Sequence, residues 1–139
     1  MTHHPTSLAV DFLFTMHATL AAPVLVADAP HGTRVVVDVT GGTVVGPRVN
    51  GTLHASGGDW VTLRKDGTAQ LDVRIAISTD DGAVICMTYQ GILGADRIAR
   101  VAPQFIAAND RYAWLNEVQA VAIGTPGANE VTYEVYALR

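Results

Sequence analysis

Charge is what this 139-residue chain has least of: only 16% of its residues are charged, against about 25% in an ordinary soluble domain. The nine basic residues are scattered singly among thirteen acidic ones, giving a net charge of −4. Nucleic-acid binding leaves a basic footprint, so no nucleic-acid partner is expected, and no polybasic membrane patch. Cysteine is nearly absent. Cys86 stands alone in Val84-Ile85-Cys86-Met87, which rules out an internal disulfide and suits a reducing, cytoplasmic setting. With no cationic neighbour in sequence it reads as a small buried hydrophobe. A long apolar run is missing too. Leu8 to Ala27 has no basic residue before it and is interrupted by Asp11, His17 and Pro23. It therefore reads as a first strand and not as a signal peptide or membrane span.

Cofactor signatures are also lacking. Histidines 3, 4, 17, 31 and 54 show no metal-ligand spacing, so no metal is expected. Gly41-Gly42 leads into a strand and lacks the helix N-terminus that phosphate binding uses. Nucleophile elbows and dinucleotide fingerprints are absent, and no cofactor is expected.

What is present is alternation. In Gln70 to Ser78, Leu71, Val73, Ile75 and Ile77 fall on one face and Asp72, Arg74, Ala76 and Ser78 on the other, the pattern of a half-buried strand. Val131 to Leu138 alternates similarly, and Thr33 to Val39 is β-branched and short. Lys65-Asp66-Gly67 and Asp80-Asp81-Gly82 are hairpin signals, and Thr125 to Asn129 is a longer connection. These predict about eight strands, at 8–20, 33–39, 43–54, 60–65, 69–78, 83–92, 113–124 and 130–138. Gly46-Pro47 should bend the third. A helix of at most two turns is allowed within 95–108. The expected fold is all-β: one antiparallel β-barrel domain spanning 1–139 with little helix, behind a loose terminus at 1–7. The high apolar share (49%) predicts two apolar barrel faces, one against a second copy, hence a homodimer or higher homo-oligomer.

Three blocks carry a resemblance: Gly41-Gly42-Thr43 with Gly46-Pro47-Arg48, Gly51 and Gly57-Gly58-Asp59-Trp60; Leu71-Asp72-Val73-Arg74 running into Thr79 to Ala83; and Arg111 to Asn116 ahead of the closing strand. In this order and spacing the chain resembles the bacterial family catalogued as domain of unknown function 3237, from about residue 8 to the end. The resemblance implies a compact barrel of the lipocalin-like or allene-oxide-cyclase-like kind and brings no settled activity. It also implies an aliphatic residue at the position of His54, so that histidine inherits no role.

Several residues could carry chemistry. Asp72 and Arg74 lie about 7 Å apart on one strand face. Pointing inward, Arg74 would hold a carboxylate or enolate and Asp72 would be a general base; pointing outward, they are a solvated pair of little worth. Asp59 and Trp60 follow a glycine pair: either an acid–base group with an apolar wall at the barrel mouth, or a capped turn with an aromatic plug. Tyr112, Trp114 and Asn116 would share a face suited to stacking a planar ligand, or would be core; Tyr89 is a further pocket candidate. The composite expectation is a small organic molecule bound in a barrel cavity. Asp59, Asp72 and Arg74 would perform cofactor-independent isomerase, cyclase or lyase chemistry, with Trp60, Tyr89, Tyr112, Trp114 and Asn116 shaping the substrate. The alternative is a lipocalin-like carrier or sensor that needs no acid.

Overall fold

A computed structural model describes residues 4–139. Strand pairing closes on itself. In chain order the strands are β1 (Val10–Leu20), β2 (Val24–Ala29), β3 (Gly32–Val45), β4 (Gly51–Leu53), β5 (Gly58–Leu63), β6 (Ala69–Thr79), β7 (Val84–Leu93), β8 (Ala99–Val101), β9 (Gln104–Ala107), β10 (Ala120–Gly127) and β11 (Glu130–Leu138). Around the ring β3 pairs β1, then β11, β10, β8, β7, β6 and β5, and β5 returns to β3. All of these pairings are antiparallel. β4 joins β3 to β6 in line with β5, and β9 lies along β7 in line with β8. The result is an eight-staved closed barrel, as the alternation and turn spacing predicted.

The differences in detail have local causes. The expected strand at 33–39 runs on into the start of the one expected at 43–54 as a single long strand, β3, which ends just before Gly46-Pro47; the remainder of 43–54 returns as the short β4. β2 was not anticipated as a separate strand: Pro23 breaks the first strand, and β2 continues its path beside the start of β3. The expected helical turns within 95–108 are instead β8 and β9. Asp96-Arg97, with Arg97 at φ 64°, turns the chain back from β7, and Pro103 separates the two short strands. The expected strand at 113–124 begins as a 3-10 helix (Ala113–Glu117) and becomes β10 only at Ala120. Residues 1–3 of the expected loose terminus lie outside the described residues; 4–7 are exposed.

The inner faces divide the barrel lengthwise. At one end Phe14, Met16, Ile77, Ile85, Met87 and Val135 are fully buried. Phe14 meets Phe105 edge-to-face at 6.1 Å, and the 3-10 helix closes that end with Leu115 at 0% exposure. Toward the other end the same strands carry Ala18, Val37, Val39, Ala69, Leu71 and Ala99. The small residues leave space there. Outside, Cys86 is exposed. This corrects its reading as a buried hydrophobe: in β7 it falls between the inward Ile85 and Met87. Part of the low charge is spent on β2, whose Val24, Leu25 and Val26 are exposed. No helix among the described residues is long and apolar enough to cross a membrane.

The packed end should carry most of the stability. Phe14→Ala should cost about 3–5 kcal/mol, read from the shift of the urea midpoint. Ile123→Ala, on the exposed face of β10, should stay within about 0.5 kcal/mol.

Candidate active site

The loosely filled end of the barrel is a chamber of about 180 Å³, room for about six waters at liquid density. Its wall is largely aliphatic, with Leu20, Val37, Val39, Val61, Leu71, Val73, Leu93 and Val131 around it. Into this surface come the carboxylate of Asp59 and the phenols of Tyr89 and Tyr133; Glu130 stands at the rim, paired with His17 at 3.1 Å. Among the described residues lining the chamber there is no Lys, Arg or His. Larger hollows lie on the outer wall, of about 290, 660 and 470 Å³. They are grooves between polar surface side chains such as Gln70, Gln90, Gln104 and Gln119.

Asp59 owes its place to the residues before it. Gly57 holds φ +77°, and a Cβ there would sit 2.1 Å from the carbonyl oxygen of Arg74. Only glycine lets β5 start that close to β6. Asp59 then shares the inward face with Val61. The β5–β6 register runs Gly58↔Arg74 and Asp59↔Val73, then resumes at Thr62↔Gln70. Between them Trp60 and Val61 pair with Val36 and Val35 of β3 but with no residue of β6. Instead the backbone N–H of Asp72 donates to Asp59 Oδ1 at 3.1 Å, and the Trp60 carbonyl accepts from Arg34 Nη1 at 3.4 Å. The carboxylate has taken the place of a backbone carbonyl in the barrel wall.

Burial dominates the electrostatics. It raises Asp59 from 3.8 to about 6; the Asp72 N–H opposes this and the negative charge of Asp72 adds to it. Burial also holds Tyr89 well above its usual value, reinforced by Tyr133 and Asp59. Tyr133 is raised for the same two reasons, burial first and then Asp59. Both phenols therefore remain protonated donors at any physiological pH, beside an acid that titrates near neutrality. The rings meet edge-to-face at 5.2 Å. Tyr133 fits because it faces Gly124 across the β10–β11 ladder, where a Cβ would lie 2.4 Å from its ring.

Of the residues singled out in the sequence, the structure brings Asp59 and Tyr89 together and adds Tyr133. The expectation that Asp72 and Arg74 point inward is corrected: Leu71, Val73, Ile75 and Ile77 fill the interior, Arg74 is exposed and Asp72 half-buried on the outer face. Burying four aliphatic side chains outweighs enclosing two charges that would each need a partner. Trp60 is likewise not a chamber wall; it is 56% exposed on the outer surface, with Arg34 over its ring. Tyr112, Trp114 and Asn116 do not share a strand face, because their segment is a turn and a 3-10 helix at the packed end. Tyr112 donates to Asp81 Oδ1 at 2.8 Å, Trp114 stacks under Arg48 at 3.7 Å, and Asn116 bonds Ala107 through both its carbonyl and its amide. These are structural contacts. Among the described residues no three His, Cys, Asp or Glu side chains group as a metal site.

Comparison with known proteins adds a setting for this geometry. A family model described as "Protein of unknown function (DUF3237)" matches residues 8–99. The hydroalkoxylation enzyme phnH of Penicillium herquei is 32% identical over 134 residues, covering 95% of this chain and 84% of its own. A crystal structure of an enzyme from that organism covers both chains fully at 29% identity, with a TM-score of 0.80. A β-barrel-like protein from Acinetobacter baumannii superposes with a TM-score of 0.91 at 25% identity, covering 99% of this chain and all of that one.

Two measurements check the site. Asp59 is easier to ionise unfolded than folded, so its contribution to stability is complete below about pH 4 and lost as pH rises through about 6. The two-unit difference corresponds to on the order of 3 kcal/mol. Asp59→Asn should therefore exceed the wild type in stability above pH 6, and the advantage should vanish near pH 4 in urea titrations. Gly124→Ala should be destabilising in the wild type and nearly neutral in a Tyr133→Ala background, a coupling that a double-mutant cycle reads directly.

Proposed function

The chain belongs to the DUF3237 family, and from that premise we propose that it is an acid–base enzyme adding an O–H group across a C=C bond of a small uncharged molecule. The observation that carries this reading is the Asp59 carboxyl, raised to about 6 in an aliphatic chamber and set against two neutral phenols. Hydroalkoxylation, the activity in the name of the Penicillium relative, asks for that equipment: a proton to give, a base to receive one, and a dry surface. An uncharged substrate fits because the chamber offers no cation to neutralise an anion.

In the proposed cycle, protonated Asp59 gives its proton to one alkene carbon, and positive charge develops on the other. The Asp59 carboxylate so formed stabilises that charge, and the faces of the Tyr89 and Tyr133 rings present their negative quadrupole to it. The hydroxyl oxygen of the substrate forms the new C–O bond. Its proton passes to the carboxylate, which restores the acid. Every atom of the product comes from the substrate and no electrons are exchanged, so the cycle calls for no cofactor. At pH 7 about a tenth of Asp59 is protonated, enough for a general acid near its working range.

The test uses 2-(2-methylallyl)phenol, whose protonation gives a tertiary cation within reach of the phenol oxygen. In D₂O the protein should yield the isomeric cyclic ether with one deuterium bound to carbon. The rate should fall roughly tenfold per pH unit above 6. Asp59→Asn should bind the probe and lose turnover. Binding without turnover by the wild type, across a series of such alkenyl phenols and alcohols, would make the barrel a carrier. Turnover surviving in Asp59→Asn would move the acid elsewhere.

A further inference from the structure

The break in the β5–β6 ladder has two sides. Inside is Asp59; outside, the half-buried Asp72 borders grooves with Trp60, Arg34 and Gln90 on one hand and with Gly57, Gly58, Asp38 and Arg74 on the other. In an intact antiparallel ladder the Asp72 amide would bond the Trp60 carbonyl. Here that amide holds Asp59 and the carbonyl is held by Arg34. The Asp72 peptide thus bonds Asp59 of the chamber while its side chain borders the outer grooves. We propose that Asp72 is a positioning residue that acts on Asp59 through the wall: its amide fixes the carboxylate, and the negative charge of its own carboxylate, outside, adds to burial in disfavouring the ionised form of Asp59.

The two actions of Asp72 oppose each other, and this makes them separable. An amide bonded to a carboxylate favours its charge; a like charge nearby disfavours it. The other groups facing Asp59 are accounted for: Glu130 of β11 stands at the chamber's rim, paired with His17 of β1. Tyr89 from β7 and Tyr133 from β11 are neutral phenols within the chamber. From β3, Arg34 is engaged with the Trp60 carbonyl, and Asp38 is exposed in the outer groove. Arg74, also on β6, points away into the same groove. Asp72 is therefore the outer residue whose charge acts on Asp59, and anything that neutralises that charge in the groove would lower the Asp59 midpoint and leave less of it protonated at pH 7. This inference rests on the acid role proposed for Asp59.

The experiment is a titration of the Asp59 carboxyl carbon by NMR in the full chain. Asp72→Asn keeps the amide and removes the charge, so the Asp59 midpoint should move down by about half a pH unit. The high-pH fall in turnover of 2-(2-methylallyl)phenol should follow it. Asp72→Glu should restore both, and Asp38→Asn should leave the midpoint in place. If Asp72 only props the wall, Asp72→Asn loosens the amide contact and the midpoint stays or moves up; either result overturns the proposal. Asp72→Ser provides the same comparison if the asparagine variant fails to fold. The titration reads Asp59 whether or not any probe is turned over, so its failure is distinct from failure of the enzymatic reading.

Discussion

The site depends on one hydrogen bond that a sheet does not ordinarily make: the Asp72 amide bonded to the side chain of Asp59 in place of a backbone carbonyl. A barrel wall normally spends every amide on its neighbour, because an unpaired buried N–H is costly. Substituting a carboxylate keeps that amide satisfied while placing an ionisable group at the inner surface. A hydrogen bond to a charged group is worth about 1.5–3 kcal/mol, whereas removing a carboxylate from water costs several. Burial wins, which is why the acid rises to about 6 despite the bond. The opened carbonyl of Trp60 does not go unpaired, since Arg34 reaches it from the outer face.

Such a substitution can be sustained because the rest of the barrel is strongly packed. Phe14, Met16, Ile77, Ile85 and Met87 fill the opposite end without exposure, and the 3-10 helix is pinned there by the paired bonds of Asn116 to Ala107. The taper from large to small side chains along the same strands keeps the chamber from collapsing, since Ala18, Ala69 and Ala99 cannot reach across it. One end therefore supplies cohesion and the other supplies space.

Much of this was legible in the sequence, and the parts that were not have identifiable causes. The period-two patterns and turn residues fix strands and closure, because both reflect local backbone geometry. The inward face of β6 was misread for a global reason: low charge suggested aliphatic surfaces turned toward another copy, whereas the same four aliphatics fill the interior. Tyr112, Trp114 and Asn116 alternate in sequence, but alternation cannot distinguish a strand from a short turn of 3-10 helix. Tyr133 was the residue missed, and its signal was present. It is the lone phenol on the face of Val131, Val135 and Ala137. Pairing about the connection at 125–129 also sets it opposite Gly124, a gap of the size a ring needs.

The energetics of Asp59 favour the proposed catalytic reading over carriage. A carrier of uncharged molecules gains its affinity from apolar area, and Leu71, Val73, Val61 and Val131 already supply it. For such a protein a buried carboxyl is a liability: above pH 6 it lowers stability by on the order of 3 kcal/mol and adds a group that an apolar ligand must meet without water. Val or Leu at the same inward position of β5 would pack the chamber and repair the ladder. A group that weakens the fold at neutral pH, held by an amide of the wall and preceded by a glycine of positive φ, is what the proposed acid–base role asks for.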